Sequence, residues 1–93
     1  MYYIYFICAN SRDSFIKIGR AKTPRYRIKA FQRWSPYKLH ILATLREEHT
    51  TVTERDLHKR FRAHRVHGEW FRPHPELLDY IITLPDYSPA PIE

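Results

Sequence analysis

Tyr2-Tyr3-Ile4-Tyr5-Phe6-Ile7-Cys8, followed after a polar break by Phe15-Ile16-Lys17-Ile18-Gly19, is the stretch from which the fold of this 93-residue chain is read. The first run is aromatic and β-branched and shows no helical period, so it reads as a buried strand. Asn10, Ser11, Arg12, Asp13 and Ser14 supply turn chemistry. The second run alternates apolar and polar residues and reads as a strand antiparallel to the first. Side chains alternate across a strand, so Tyr3, Tyr5 and Ile7 share one face and Tyr2, Ile4 and Phe6 the other. Phe15, Lys17 and Gly19 share a face of the second strand. If Tyr5 and Lys17 point the same way, Ile4, Ile16 and Ile18 make the core side.

Working outward, Thr23-Pro24 is a helix start, with threonine as N-cap and proline at the first helical position. Ile28, Phe31 and Trp34 give this helix an apolar stripe, and Ser35-Pro36 ends it. Residues 38–45 read as a third strand, with Leu39, Ile41, Ala43 and Leu45 alternating against His40, Leu42 and Thr44. Thr51-Val52-Thr53-Glu54 fits a capping box for a second helix reaching about Arg62, with Leu57 and Phe61 on its buried face. Gly68 breaks the chain and Glu69-Trp70-Phe71 is short and extended. Pro73 and Pro75 open a third helix carrying Leu77, Leu78, Ile81 and Ile82. The order ββαβαα predicts an α+β fold: a small three-stranded, mainly antiparallel sheet flanked by about three helices. Residues 1–84 form the domain, and 85–93, with three prolines, a flexible tail.

This length makes one domain with a modest core. Phe6, Phe15, Phe31, Trp34, Phe61, Trp70 and Phe71 are its bulky candidates. A lone cysteine, Cys8, gives a monomer no disulfide and suits a reducing, cytoplasmic compartment. No apolar run is long enough to span a bilayer, and the start lacks the basic region of a secretory signal. The six histidines show no zinc-ligand spacing with a matching partner pair beyond His58, His64 and His67. The net charge is +6, and eleven of the sixteen basic residues are arginine, whose planar fork pairs with two phosphate oxygens at once. An acidic partner follows, nucleic acid being the commonest. A phenol (Tyr5), an amine (Lys17) and a guanidinium (Arg27) on one side of a small sheet suit a phosphodiester. Arg20, Lys22, Arg33 and Arg65 are further candidates for phosphate contacts.

Tyr3-Ile4-Tyr5, eleven residues, then Lys17-Ile18-Gly19 resembles the two-part signature of the GIY-YIG nuclease superfamily, with Arg27 at its helix arginine. Glu54-Arg55-Asp56-Leu57-His58, Phe61 and Arg65-Val66-His67-Gly68-Glu69-Trp70-Phe71 resemble a phage and fungal branch. That branch includes the domain named after a phage T5 open reading frame and the meiotically up-regulated family. The resemblance implies metal-dependent hydrolysis of DNA by water, with one Mg²⁺ or Mn²⁺ ion. It makes Tyr5 the first-motif tyrosine and puts Lys17 where tyrosine is usual. It makes Arg27 the phosphate clamp and Glu54 the metal ligand, with His58 one turn on facing the same pocket. Tyr3 replaces the first glycine, and the late polar residue has no clear match, Glu69-Trp70-Phe71 standing in that region.

The chemistry fits those types. Hydrolysis needs a base for water and cations on the developing charge. Lys17 and Arg27 beside Tyr5 would favour its phenolate, and a desolvated lysine can take the proton itself. One carboxylate plus waters and phosphate oxygens is a usual way to hold magnesium. The leading expectation is thus a DNA endonuclease, monomeric or weakly dimeric. The alternative is a DNA-binding module with an inactive nuclease-like site.

Overall fold

A computed structural model describes residues 1–10 and 14–90. The turn expected over residues 10–14 and the last residues of the expected tail fall largely outside them. Among the described residues the elements are β1 (Tyr3–Ala9), β2 (Ile16–Ala21), α1 (Pro24–Gln32), β3 (Leu39–Arg46), α2 (Glu54–Arg60), β4 (Arg65–His67), β5 (Trp70–Phe71) and α3 (Pro75–Ile82). Single turns of 3₁₀ helix lie at Glu47–His49 and Arg62–His64.

The strands form one five-stranded antiparallel sheet in the order β3-β1-β2-β5-β4. The three-stranded sheet expected from the sequence is therefore wrong. The two added strands are three and two residues long, too short for alternation to register. They form a hairpin with a two-residue turn, Gly68-Glu69, in which Gly68 takes φ +57°. Such turns need a positive φ that glycine alone adopts without strain. What reads as a chain break is the tip of a hairpin.

The sheet has apolar residues on both faces. Ile4, Phe6, Cys8, Ile16 and Ile18 pack with Leu57 and Phe61 of α2, Phe71 of β5 and Leu77 and Ile81 of α3. Tyr5, Ile7, Ala21 and Leu39 pack with Ile28 and Phe31 of α1. Phe6, Phe61 and Phe71 are fully buried, each contributing about 2–3 kcal/mol. The alternation expected through β3 breaks midway. Phe6 pairs with Ala43 but Ile7 pairs with Ile41, so Leu42 is an extra residue in a bulge. Leu39 and Ile41 accordingly face α1, whereas Leu42, Ala43 and Leu45 join the other core. Trp34 also departs from expectation. Helix α1 stops at Gln32, so Trp34 leaves the apolar stripe and is 89% exposed.

The second helix is capped two residues later than its sequence suggests. Thr53 is the N-cap: its Oγ1 accepts from Asp56 N (3.0 Å) while Asp56 Oδ2 accepts from Thr53 N (3.0 Å). Glu54 becomes the first helical residue and is released from capping. After α3, Ser88 N donates to Leu42 O (2.8 Å), and Asp86 accepts from Thr44 N (2.9 Å) and Thr44 Oγ1 (2.5 Å). Tyr87 and Ala90 lie against the core.

The cap register is testable. Thr53→Ala should cost about 1 kcal/mol, whereas Thr51→Ala should stay within about 0.5 kcal/mol. Urea denaturation of both variants decides between the two capping registers, the reverse order of effects restoring Thr51.

Candidate functional site

The site is assembled at the outer edge of β2. In the β1–β2 ladder Tyr5 stands opposite Gly19 and Ile7 opposite Lys17. Tyr5 and Lys17 both lie on the α1 face, the Tyr5 ring 6.5 Å from Phe31 and the Lys17 ammonium 4.9 Å from it. A Cβ on Gly19 would fall 2.2 Å from the Tyr5 hydroxyl and 2.3 Å from Cζ. The phenol therefore crosses β2 through the space a side chain would fill, carrying its hydroxyl toward the strand's far edge.

That edge is only partly covered. Strand β5 pairs with Ile16 and Lys17, and Ile18 N then donates to Glu69 O (3.0 Å). The carbonyl of the same residue, Ile18 O, accepts from His58 Nε2 of α2 (2.9 Å). Both backbone groups of Ile18 are thus used to hold Glu69 and His58. Beyond them Glu69 bonds Lys17 Nζ (3.0 Å), and Glu54 lies 3.5 Å from His58 Nε2, one helical turn before it. Ligand-type atoms of Glu54, His58 and Glu69 all lie within 4.8 Å of one another.

The electrostatics follow from this crowding. Burial, the hydrogen bond to Glu69 and its charge push the Glu54 carboxyl up to about 7. Burial also acts to raise Glu69, but hydrogen bonds from Lys17 and Glu54 outweigh it and leave that carboxyl below its usual range. Two carboxylates this close share a proton unless a cation stands between them. Burial first, and the charge of Glu69 second, push Tyr5 up to about 12 against the opposing effect of Arg27. Arg27 acts in the expected direction, favouring the phenolate, but the loss of water and the charges of Glu69 and Glu54 outweigh it.

Arg27 is exposed on α1 and close enough for its charge to reach Tyr5. With Tyr2, Lys22 and Tyr26 it lines a hollow of about 280 Å³. Arg20 lies 3.6 Å over the Tyr2 ring and grips Glu47 through two bonds (2.5 and 3.0 Å), while Lys22 lies 5.5 Å from the same ring. Arg20 also shares with Glu54 and His58 an open cleft of about 710 Å³. The structure thus gathers Tyr5, Lys17, Glu54 and His58, with Arg20, Lys22 and Arg27 alongside. It leaves Arg33 past the end of α1 and Arg65 on β4, the strand at the sheet margin.

Sequence reasoning missed the weight of Glu69. Its signal was present as Gly68-Glu69, a hairpin turn, but only the pairing of β5 with β2 shows that this turn meets Lys17. A second grouping, His64, His74 and Glu76, also places ligand-type atoms within 4.8 Å. There the His64 and His74 rings stack at 3.8 Å, and His74 Nδ1 caps α3 by accepting from Glu76 N (3.1 Å).

Gly19→Ala tests the crossing of β2. Because Tyr5 is only 1% exposed and cannot swing into solvent, the variant should lose about 1–3 kcal/mol. Its crystal structure should show the phenol displaced; an unmoved ring would sink this reading.

In comparisons with known proteins, the family model of the T5orf172 domain matches residues 2–84. No curated protein and no solved structure matches the chain.

Proposed function

We infer that this chain, which belongs to the T5orf172 domain family, is a metal-dependent DNA endonuclease of the GIY-YIG kind. Membership supports the coarser statement, a nuclease-like module that interacts with DNA. The observation carrying the finer one is the meeting of Tyr5, Lys17, Glu54 and Glu69 at one strand edge, beside Arg20, Lys22 and Arg27. No helix among the described residues is long and apolar enough to cross a membrane.

The donor set suits a hard divalent cation. Glu54 and Glu69 offer carboxylate oxygens, the ligands Mg²⁺ and Mn²⁺ prefer. The proton these two carboxylates share marks a place where positive charge is wanted. His58 Nε2 carries the hydrogen given to Ile18 O, so His58 acts mainly by fixing α2 against β2. When bound, the cation would supply a Lewis acid for a phosphate oxygen and lower the pKa of water.

The chain's own groups do the rest. Arg27 clamps the scissile phosphate with its fork, and Lys17 adds positive charge on the same face. Tyr5, holding its proton at neutral pH, works as a relay. It takes a proton from the attacking water as it passes its own to a neighbouring carboxylate oxygen. The P–O bond to the leaving sugar oxygen breaks as the water oxygen bonds phosphorus, and the departing oxygen takes up a proton from solvent.

The second reading, a DNA-binding module with an inactive site, is favoured by the same phenol. With Tyr5 raised to about 12, the phenol is no ready base in the resting structure, and Lys17 is tied to Glu69 at 3.0 Å. Binding without turnover would then show a steep loss of affinity with salt.

Two measurements separate these. Supercoiled plasmid incubated with folded protein and Mg²⁺ or Mn²⁺ should be nicked. Tyr5→Phe and Glu54→Gln should each slow nicking by about a hundredfold or more while DNA binding persists. No nicking with either metal would leave the binding module. Separately, Mg²⁺ at ten times its Kd should stabilise the protein by about 1.4 kcal/mol, raising Tm by about 5–10 °C. Glu54→Gln should abolish that rise, and an equal rise in the variant would remove Glu54 from the metal site.

A further inference from the structure

We propose that the hollow beside Lys17 receives one unpaired nucleobase of the nucleic-acid substrate. This rests on the reading that the adjoining edge of β2 binds a phosphodiester. The hollow encloses about 440 Å³ and is walled by Phe15, Lys17, Phe31, Trp34, Tyr37 and Trp70. That volume is in the range of small-molecule sites.

Lys17 is the wall shared with the candidate active site. Its ammonium lies 4.9 Å from the Phe31 centroid and 5.5 Å from that of Trp70, while bonding Glu69 at 3.0 Å. The ring-lined hollow and the carboxylate pair therefore meet at a single cation. A nucleotide has the matching layout, with a flat apolar base at one end and an anionic phosphate at the other. Stacking on aromatic rings accepts any base, because every base presents a π face.

The rings are placed for this use. Both tryptophans of the chain line the hollow. Trp34 is 89% exposed and Tyr37 52% exposed, so neither is there to fill the core. The turn carrying them is braced. Gln32 Nε2 donates to Tyr37 O (2.8 Å), Gln32 Oε1 accepts from Leu39 N (2.8 Å), and Ser35 Oγ donates to Tyr37 O (2.7 Å). A braced turn presents its rings without the entropy loss of ordering a floppy loop.

Charge argues against a second copy of this chain as the occupant, since each copy carries +6 and like fields repel. An apolar peptide side chain could fill the hollow but would bring no phosphate to Lys17. Bases inside a duplex are stacked and paired and cannot enter, so the hollow selects single strands, bulges or bases turned out of the helix.

Because both tryptophans line the hollow, intrinsic fluorescence reports on it directly. The protein is titrated in EDTA, so that nothing is cut, with a short oligothymidylate and with a fully paired duplex of equal charge. The oligothymidylate should quench tryptophan emission, and the duplex should quench it much less. Trp34→Ala removes an exposed ring, and it should lower the ratio of oligothymidylate to duplex affinity about tenfold. Trp34→Phe, which keeps a stacking surface, should restore most of that ratio. Equal quenching by both nucleic acids, or an unchanged ratio in Trp34→Ala, would overturn the proposal. So would quenching that rises with protein concentration alone, which would make the hollow an interface between copies. Failure of the nuclease reading looks different: plasmid stays intact while oligothymidylate still quenches. Duplex nicking without selective quenching would reject the hollow and leave the nuclease reading standing.

Discussion

The peptide of Ile18 is the constraint on which the site depends. In an antiparallel sheet both backbone groups of a residue point to the same side, and those of Ile18 point away from β1. The N–H holds the backbone of Glu69 and the C=O holds the ring of His58. Two segments distant in sequence, the α2 helix and the β4–β5 turn, are thereby fixed to one residue of β2. Burial makes those bonds necessary, since Ile18 is fully buried and its polar groups would otherwise lose water without replacement. The same residue that packs the core with its side chain positions the chemistry with its backbone.

Gly19, the next residue, completes the arrangement by what it lacks. Without a Cβ it lets the Tyr5 ring pass over β2, so a tyrosine on an inner strand reaches groups gathered at the strand's outer edge. The charges then sort themselves by distance. Glu69 is satisfied by Lys17 and stays ionised, Glu54 is left with the shared proton, and Tyr5 keeps its own. In the proposed mechanism such a phenol passes protons on rather than carrying a negative charge. The cationic strip of Arg20, Lys22 and Arg27 around Tyr2 lies where a phosphate backbone would approach.

Long, periodic segments were legible in the sequence. β1, β2, α1 and α3 carry apolar patterns of adequate length, and Thr23-Pro24 marks a helix start. Alternation put Tyr5 on one face of its strand and Lys17 on one face of its own, and the β1–β2 register brings those faces together. The failures share one cause: each depends on a choice between local options that only long-range contacts decide. Both Thr51 and Thr53 could cap α2, with Glu54 or Asp56 as the reciprocal partner, and the structure uses Thr53 and Asp56. Leu42 bulges because Phe6 and Ile7 must match residues on β3 that alternation does not align. Trp34 looks like a core residue until the helix ends two residues before it.

The sequence by itself determined an α+β chain with a strongly cationic surface, a tyrosine–lysine face and a helix arginine beside it. These depend on residue type and short spacing, which composition and period preserve. Tertiary structure alone decided that the sheet has five strands, that Glu69 joins Glu54, and that the Tyr5 phenol is pushed up by burial. The first two rest on the short β5 strand pairing with β2 across about fifty residues of chain. Such a contact leaves no periodic mark in the sequence, and the local dielectric it creates exists only once the chain has folded around it.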